Sequence, residues 1–437
     1  MLMPQHPLRA AYLRLGAAAA LLIGLLAACG PAPPEPSLPP GGPTPTVTVP
    51  FEMPVVVSVA GRFADAELAL LEEQIAAFEA ANPDILVEIV AAPPRTVARR
   101  AAFARFLESG DASRDIYLLE NRWLAEFAAH GWLTPLDEYV EGTPILAEMF
   151  PAGVQAGRIN GKLMALPWTV DGGVLYYRRD LVDEPPSDWD AVQRAALEGL
   201  ASSDPTMGYV WQGDAYDSLT YNTLEFIWSY GGAVFGDGGR VAFDGPETRS
   251  ALAAMLAMIS SGASPPEVTT FREGTSLLAF RDGDAVLMRN WVYAWDRLQG
   301  ADSTVAGKVG LAPLPASCLG GRSLVLSPYS RHPEQAFRVM TFLVGEELQR
   351  QLALHGILPP ALETVYDDAD LLAAKPVLAD LHAALSVAKP PPQIAEYDRL
   401  SEIVYDQVHR MLVGEQGVEE TAANIQRQLE TLTIRGR

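Results

Sequence analysis

The sequence has little cysteine, little histidine and little positive charge, and each shortage closes off a class of function. Among 437 residues there are two cysteines and six histidines. No Cys-x-x-Cys pair and no His-Glu-x-x-His pattern occurs, and His130, His332, His355, His382 and His409 are scattered. A metal centre or a dithiol redox site needs such residues clustered, so neither is indicated and no cofactor is called for. No Gly-x-Ser-x-Gly elbow is present. The stretch 300–308 has a glycine and a lysine that hint at a phosphate loop, but Val309 follows Lys308 where such a loop carries Ser or Thr. Fifty-four acidic residues against 32 basic ones leave a net charge of −22. That excess repels nucleic acid and anionic headgroups. No internal repeat is visible.

The two cysteines do not read as a disulfide pair. Cys29 ends an export-type segment. Arg9 and Arg14 precede an apolar run over 15–28, about 14 residues long, against the ~20 a membrane span needs. The run closes with Leu26-Ala27-Ala28-Cys29, which resembles a bacterial lipobox, where the Cys sulfur is acylated and the chain is cut just before it. The competing reading is an ordinary signal peptide with a chance cysteine. Residues 1–28 are expected as signal peptide and 29–53 as a lipidated Cys29 with a tether. Ten prolines between 31 and 54 keep that segment extended, at ~3.1 Å per residue, and out of any core. Lipid plus tether implies work at the outer face of the cytoplasmic membrane. Cys318 is then alone, most simply a packed small residue, and the fold rests on its core.

The rest of the chain, nearer 380 residues, exceeds one ordinary core and suits two lobes. Residues 54–60 read as a buried strand. Asp65 opens a helix with Leu68, Leu71, Ile75 and Phe78 on one face, stopped by Asn82-Pro83. Strands are expected at 85–90, 115–119, 163–166, 174–178, 285–288 and 308–311. Helices are expected at 96–109, 188–200, 216–230, 247–261 and 274–281, and from 333 onward the pattern is almost wholly helical, broken at 356–360 and 389–392. Alternation of this kind means α/β architecture with parallel sheet.

In open α/β sheets, ligands sit at the carboxyl ends of strands. All eight tryptophans fall between 123 and 295, and Trp291, Tyr293 and Trp295 follow the expected strand 285–288. Flat rings match the C–H faces of sugars, and carboxylates such as Glu67, Glu120 and Asp171 accept hydroxyl hydrogen bonds. The plain alternative makes the aromatics core and the carboxylates helix caps.

An ordered set of segments resembles the extracellular solute-binding proteins, family 1, of ABC sugar importers, most closely the trehalose/maltose-binding branch. It comprises 78–83 (Phe-Glu-Ala-Ala-Asn-Pro), 115–123, 131–137 (Gly-Trp-Leu-Thr-Pro-Leu-Asp), 160–167 (Asn-Gly-Lys-Leu-Met-Ala-Leu-Pro) and 173–181. It continues with 208–213, 289–295 (Arg-Asn-Trp-Val-Tyr-Ala-Trp), 308–315, 319–321 and 400–403. The resemblance spans nearly all of 54–434.

It implies a periplasmic-binding-protein type II-like fold: two α/β lobes, joined by a multi-strand hinge, with a ligand cleft between them. The N-terminal lobe would take 54–170 plus 313–370, and the C-terminal lobe 171–312 plus 371–437. It implies a monomeric, non-enzymatic receptor that closes on a sugar and delivers it to ABC permease subunits. The implied ligand contacts are Glu67, Arg99, Asp171, Trp291, Tyr293 and Gly321, which match the branch in type. Glu120 stands for an Asp, Thr169 for a Tyr and Arg322 for a Trp, and the Arg expected near 390–392 is absent, with Lys389 close by. Other readings stay open: an anionic solute held by Arg99 and Arg322, a sensor feeding a membrane kinase, or a glycoside hydrolase using Glu120 and Asp171.

Overall fold

The computed structural model of the protein describes residues 53–201, 205–356 and 359–435. The signal segment, Cys29 and the tether up to residue 52 lie outside the described residues. The strands are, in chain order, β1 Val55–Gly61, β2 Ile85–Ala91, β3 Ile116–Glu120, β4 Arg158–Ile159, β5 Lys162–Leu163, β6 Leu166–Thr169 and β7 Gly173–Arg178. They continue as β8 Met207–Val210, β9 Ala285–Trp291, β10 Val309–Pro313, β11 Ser317–Cys318, β12 Arg322–Leu326 and β13 Ala388–Lys389.

Two sheets carry the architecture, and the fold is the expected pair of α/β lobes. The first has the order β2-β1-β3-β12-β6 and the second β10-β7-β9-β8. In the first, β1 runs parallel to β2 and β3, while β12 is antiparallel to β3 and β6. The helix Asp65–Ala81 forms for the reasons its sequence suggests. Leu71 and Ile75 share its buried face, and Asn82 caps its end by returning its backbone N–H to Phe78 and Glu79. The Asn160-Gly161 pair joins β4 to β5 with φ of 51° and 80°, which only such residues adopt cheaply.

Two local expectations change. The single strand expected at 163–166 is split, because Leu163 ends the β4–β5 hairpin and a separate β6 starts at Leu166. Pro167 is tolerated in β6 because β6 is an edge of the sheet and needs no further donor. The strand expected at 285–288 runs on to Trp291, so Trp291 is its last residue and not the loop beyond it. The break expected in the helical tail at 389–392 opens with β13, which pairs in parallel with β11.

Those short strands form the joint between the sheets. Leu319 N–H donates to Lys389 O at 2.7 Å, Gly320 N–H donates to Asp171 O at 2.8 Å, and Gly172 bridges Leu319. One apolar cluster runs continuously from Val57 and Leu118 through Val170 and Val174 to Leu429. A second, with Phe103, Tyr117, Trp123 and Phe127, covers the other face of the first sheet.

Beneath the joint lies a fully buried ion pair. Arg289 of β9 donates twice to Glu225 of the helix Asp217–Ser229, at 2.6 and 3.0 Å. Gln212 Oε1 accepts a further Arg289 N–H at 3.1 Å, and Cys318 N–H donates to Glu225 at 3.3 Å. Gly173 passes so close that a Cβ there would meet Glu225 Oε1 at 2.1 Å. Removing one partner strands the other charge in the interior, at a cost of about 3–5 kcal/mol, whereas replacing both with apolar groups is near neutral. In urea denaturation Arg289→Met is therefore expected to destabilise by that amount, and Arg289→Met/Glu225→Met to recover most of it. Equal losses in the two would contradict this account.

Candidate functional site

A cavity of about 430 Å³ opens between the ends of the two sheets, within the usual range for small-molecule sites. From the first sheet come Glu120 at the end of β3, Arg122 in the turn after it, Thr169 at the end of β6, and Gly321 and Arg322 where β12 begins. From the second come Trp291 at the end of β9 and Tyr293 just beyond. Asp217 and Glu273 add the first turns of the helices Asp217–Ser229 and Glu273–Arg281. Asp171 lies between, in the segment linking β6 to β7.

Seven of the nine residues singled out from the sequence line this cavity: Glu120, Thr169, Asp171, Trp291, Tyr293, Gly321 and Arg322. Glu67 and Arg99 do not. Both are buried behind the wall. Glu67 caps its own helix by accepting from Ala64 N–H at 3.1 Å, and it also takes Trp168 Nε1 at 3.2 Å and Arg322 Nη2 at 3.1 Å. Arg99 donates to Glu120 Oε1 at 2.5 Å and to the carbonyls of Pro93 and Pro94 at 3.2 Å. A ligand would have to displace Arg322 or Glu120 to reach them. Lys389 is exposed and lies off the cavity, and the lining lysine is Lys375.

The departures from the family pattern have local explanations. Thr169 is too buried for a stacking role, and its Oγ1 accepts from Arg322 N–H at 3.2 Å, tying β6 to β12. Arg322 points its guanidinium back into the first lobe, onto Arg62 O at 2.7 Å and Glu67. Gly321 has φ of 90°, and a Cβ there would lie 2.3 Å from Thr169 O, so no other residue fits between β6 and β12.

Trp291 is held from several sides. The Arg289 guanidinium sits 4.2 Å over its ring, Tyr221 meets it edge-on at 5.2 Å, and its Nε1 donates to Glu273 at 3.3 Å. Burial pushes the Glu273 carboxyl up, but hydrogen bonds from Ser218, Tyr216 and Trp291 outweigh it and hold the pKa below the usual value. Asp171 goes the other way. Desolvation lifts it to about 6, against the 2.9 and 3.3 Å hydrogen bonds from Gly172 and Val292 N–H. Tyr293 stands at the lip, half exposed.

Sequence reasoning missed Arg122, Asp217 and Glu273. Arg122 is two residues past Glu120, inside the zone after β3 that the strand-end rule marks. Asp217 and Glu273 begin helices, and nothing local separates them from ordinary N-terminal acids. Among the described residues no group of His, Cys, Asp or Glu is arranged to hold a metal ion, and no helix is long and apolar enough to cross a membrane.

With this geometry in view, comparison with known proteins is informative. The family model of bacterial extracellular solute-binding proteins matches residues 62–350. A probable ABC transporter-binding protein of Deinococcus radiodurans is 32% identical over 370 residues, covering 80% of this chain and 87% of that one. Among solved structures, maltose-bound T. maritima MalE3 is 33% identical with a TM-score of 0.74, covering 86% of this chain and 99% of that one. The GacH receptor of Streptomyces glaucescens, solved unliganded and with acarbose, is 25% identical with a TM-score of 0.73, covering 87% and 99%.

The Asp171 shift has a testable sign. Its folded pKa, about 6, lies above the ordinary 3.8, so the folded state binds more protons than the unfolded one between those values. This contribution favours folding fully below about 4 and is lost as pH rises through about 6. Asp171→Asn keeps the acceptor without the titration. The Tm of the native protein relative to that variant should rise as pH falls from 7 to 4. A flat difference would remove Asp171 as the source.

Proposed function

Starting from a chain that belongs to the bacterial extracellular solute-binding proteins, we propose that its cleft captures a neutral disaccharide or short oligosaccharide of the maltose or trehalose kind. At the coarser level the chain is a solute-binding protein of an ABC transporter, structurally close to maltose and oligosaccharide binders, and not an enzyme. The observation that carries the finer reading is the pairing of a fixed indole, Trp291, with carboxylates facing the same cavity. The ring offers a flat apolar face to a pyranose, and Glu120, Asp171 and Glu273 accept from hydroxyls. The 33%-identical relative with maltose bound supports the same class.

An anionic ligand fits less well. Each cleft arginine already has an acidic partner: Arg122 meets Asp217, and Arg322 meets Glu67. Arg99, behind the wall, is spent on Glu120. Asp171 and Glu273 would then repel an incoming anion.

In this proposal the lobes, 54–170 plus 313–370 and 171–312 plus 371–437, rotate about the joint at Gly172, Leu319 and Lys389. The closed form excludes water from the sugar. Ligand favours closure only by the contacts it gains there from both lobes. Glu120 acts from one side, Trp291, Tyr293 and Glu273 from the other, and Asp171 from the hinge. Glu67, Arg99 and Arg322 hold their neighbours in place. Cys29 carries the lipid, the proline-rich tether sets the receptor off the membrane, and the closed monomer docks on the permease.

Calorimetry with maltose, trehalose and maltotriose, against sulfate and phosphate esters, tests the class. At least one neutral sugar should bind, and Trp291→Ala should weaken it tenfold or more. Binding of anions alone would reject the reading.

A further inference from the structure

The cleft contains a contact that no sugar is needed to explain. Arg122 follows β3 and belongs to the first lobe. Asp217 opens the helix Asp217–Ser229, which packs in the second lobe against the helix Tyr397–Leu412. Arg122 Nη1 nevertheless donates directly to Asp217 Oδ2. The pair spans the cleft from lobe to lobe.

Both ends are anchored. On the first-lobe side, Arg122 Nη2 lies 3.5 Å from Glu120 Oε2, and the other oxygen of Glu120 is taken by Arg99. On the second-lobe side, Asp217 Oδ1 accepts from Ser401 Oγ at 3.0 Å, and Ser401 Oγ lies 2.8 Å from Thr220 Oγ1. A line of charged and polar groups thus runs Arg99, Glu120, Arg122, Asp217, Ser401, from one lobe's helices to the other's. A second interlobe pair lies on the same two helices further out: Arg100 Nε is 3.3 Å from Asp398 of the helix Tyr397–Leu412. Asp398 is half exposed and Arg100 is already paired with Glu126 of its own lobe, so that contact is weak. Arg122 and Asp217 are 14% and 31% exposed. Solvent screens them less, and parting the lobes would return both charges to water.

We infer that Arg122 and Asp217 form a latch that holds the lobes together before any solute arrives, with Arg122 as the residue that positions one lobe on the other. The inference rests on the lobe motion proposed above. It adds that closure in this chain is partly prepaid by a fixed ion pair, not left wholly to ligand contacts. Because Glu120 both faces the ligand and holds Arg122, a solute that engages Glu120 acts on the latch directly.

The test is the distance between spin labels on Glu108→Cys and Arg427→Cys, exposed positions on either lobe, measured on the full chain in detergent. Cys318 is fully buried and stays unlabelled, and Cys29→Ser removes the second native thiol. Without ligand, Arg122→Met, Asp217→Asn and Arg122→Met/Asp217→Asn should each lower the closed-to-open ratio by the same factor, roughly fivefold to tenfold, the non-additivity expected of one shared contact. Arg114→Met, which breaks a pair inside the first lobe, should leave the ratio unchanged. Arg122→Lys should restore part of it. Unchanged distances in the two single variants, or shifts that add in the double variant, would overturn the latch. Addition of 10 mM maltose separates the two ideas. If maltose closes the native protein but the variants match it when unliganded, the latch fails and the receptor reading stands. If the unliganded variants open as stated and maltose moves neither, the latch stands and the proposed sugar fails.

Discussion

The Arg289–Glu225 pair fixes how the hinge, the cleft helix and the indole ring sit relative to one another. Two charges without solvent are tolerable only when every lone pair and proton is used, and here almost all are: the carboxylate takes two guanidinium N–H groups and the Cys318 amide, and Gln212 takes another guanidinium N–H. The pair thereby joins three pieces distant in sequence: the central strand β9, the helix that presents Asp217, and the hinge strand β11. The same guanidinium lies over Trp291. Ring, hinge and helix are set by one buried charge, which is why the chain gives up a side chain at Gly173 to make room for it.

The site is built in two depths. At the surface of the cleft stand groups able to meet a ligand. Behind them stand groups that fix those in place: Glu67 for Arg322, Arg99 for Glu120 and Tyr216 for Glu273. Electrostatics follow from this layering. Cations facing the cleft are mostly neutralised from behind or across, whereas Asp171 and Glu273 keep carboxylates supplied with neutral donors. A cavity of that kind discriminates by hydrogen-bond geometry and ring stacking more than by net charge.

Most of the α/β skeleton was legible in the sequence, because buried strands and amphipathic helices write their periods locally. The strand ends directed attention to Glu120, Asp171 and Trp291, all of which line the cavity. What failed to show were features decided by distant partners. Pro167 reads as a strand breaker until β6 is seen to be an edge. Lys389 marks only a break in the helical pattern until β11 supplies its partner. Glu67 reads equally as cap or ligand contact, and only its three neighbours decide. Asp217 and Glu273 carry no signal beyond that of any acid opening a helix, since their importance comes from what folds opposite them.

The position of β12 has a consequence for how the chain reaches this shape. In the first sheet β12 lies between β3 and β6, yet it is made only after the whole second sheet. Until then β3 and β6 lack the strand that joins them. At ribosomal speeds the intervening stretch of roughly 150 residues takes about 10–30 s to appear. Completion of the first sheet therefore waits on contacts of very high sequence separation, which form slowly.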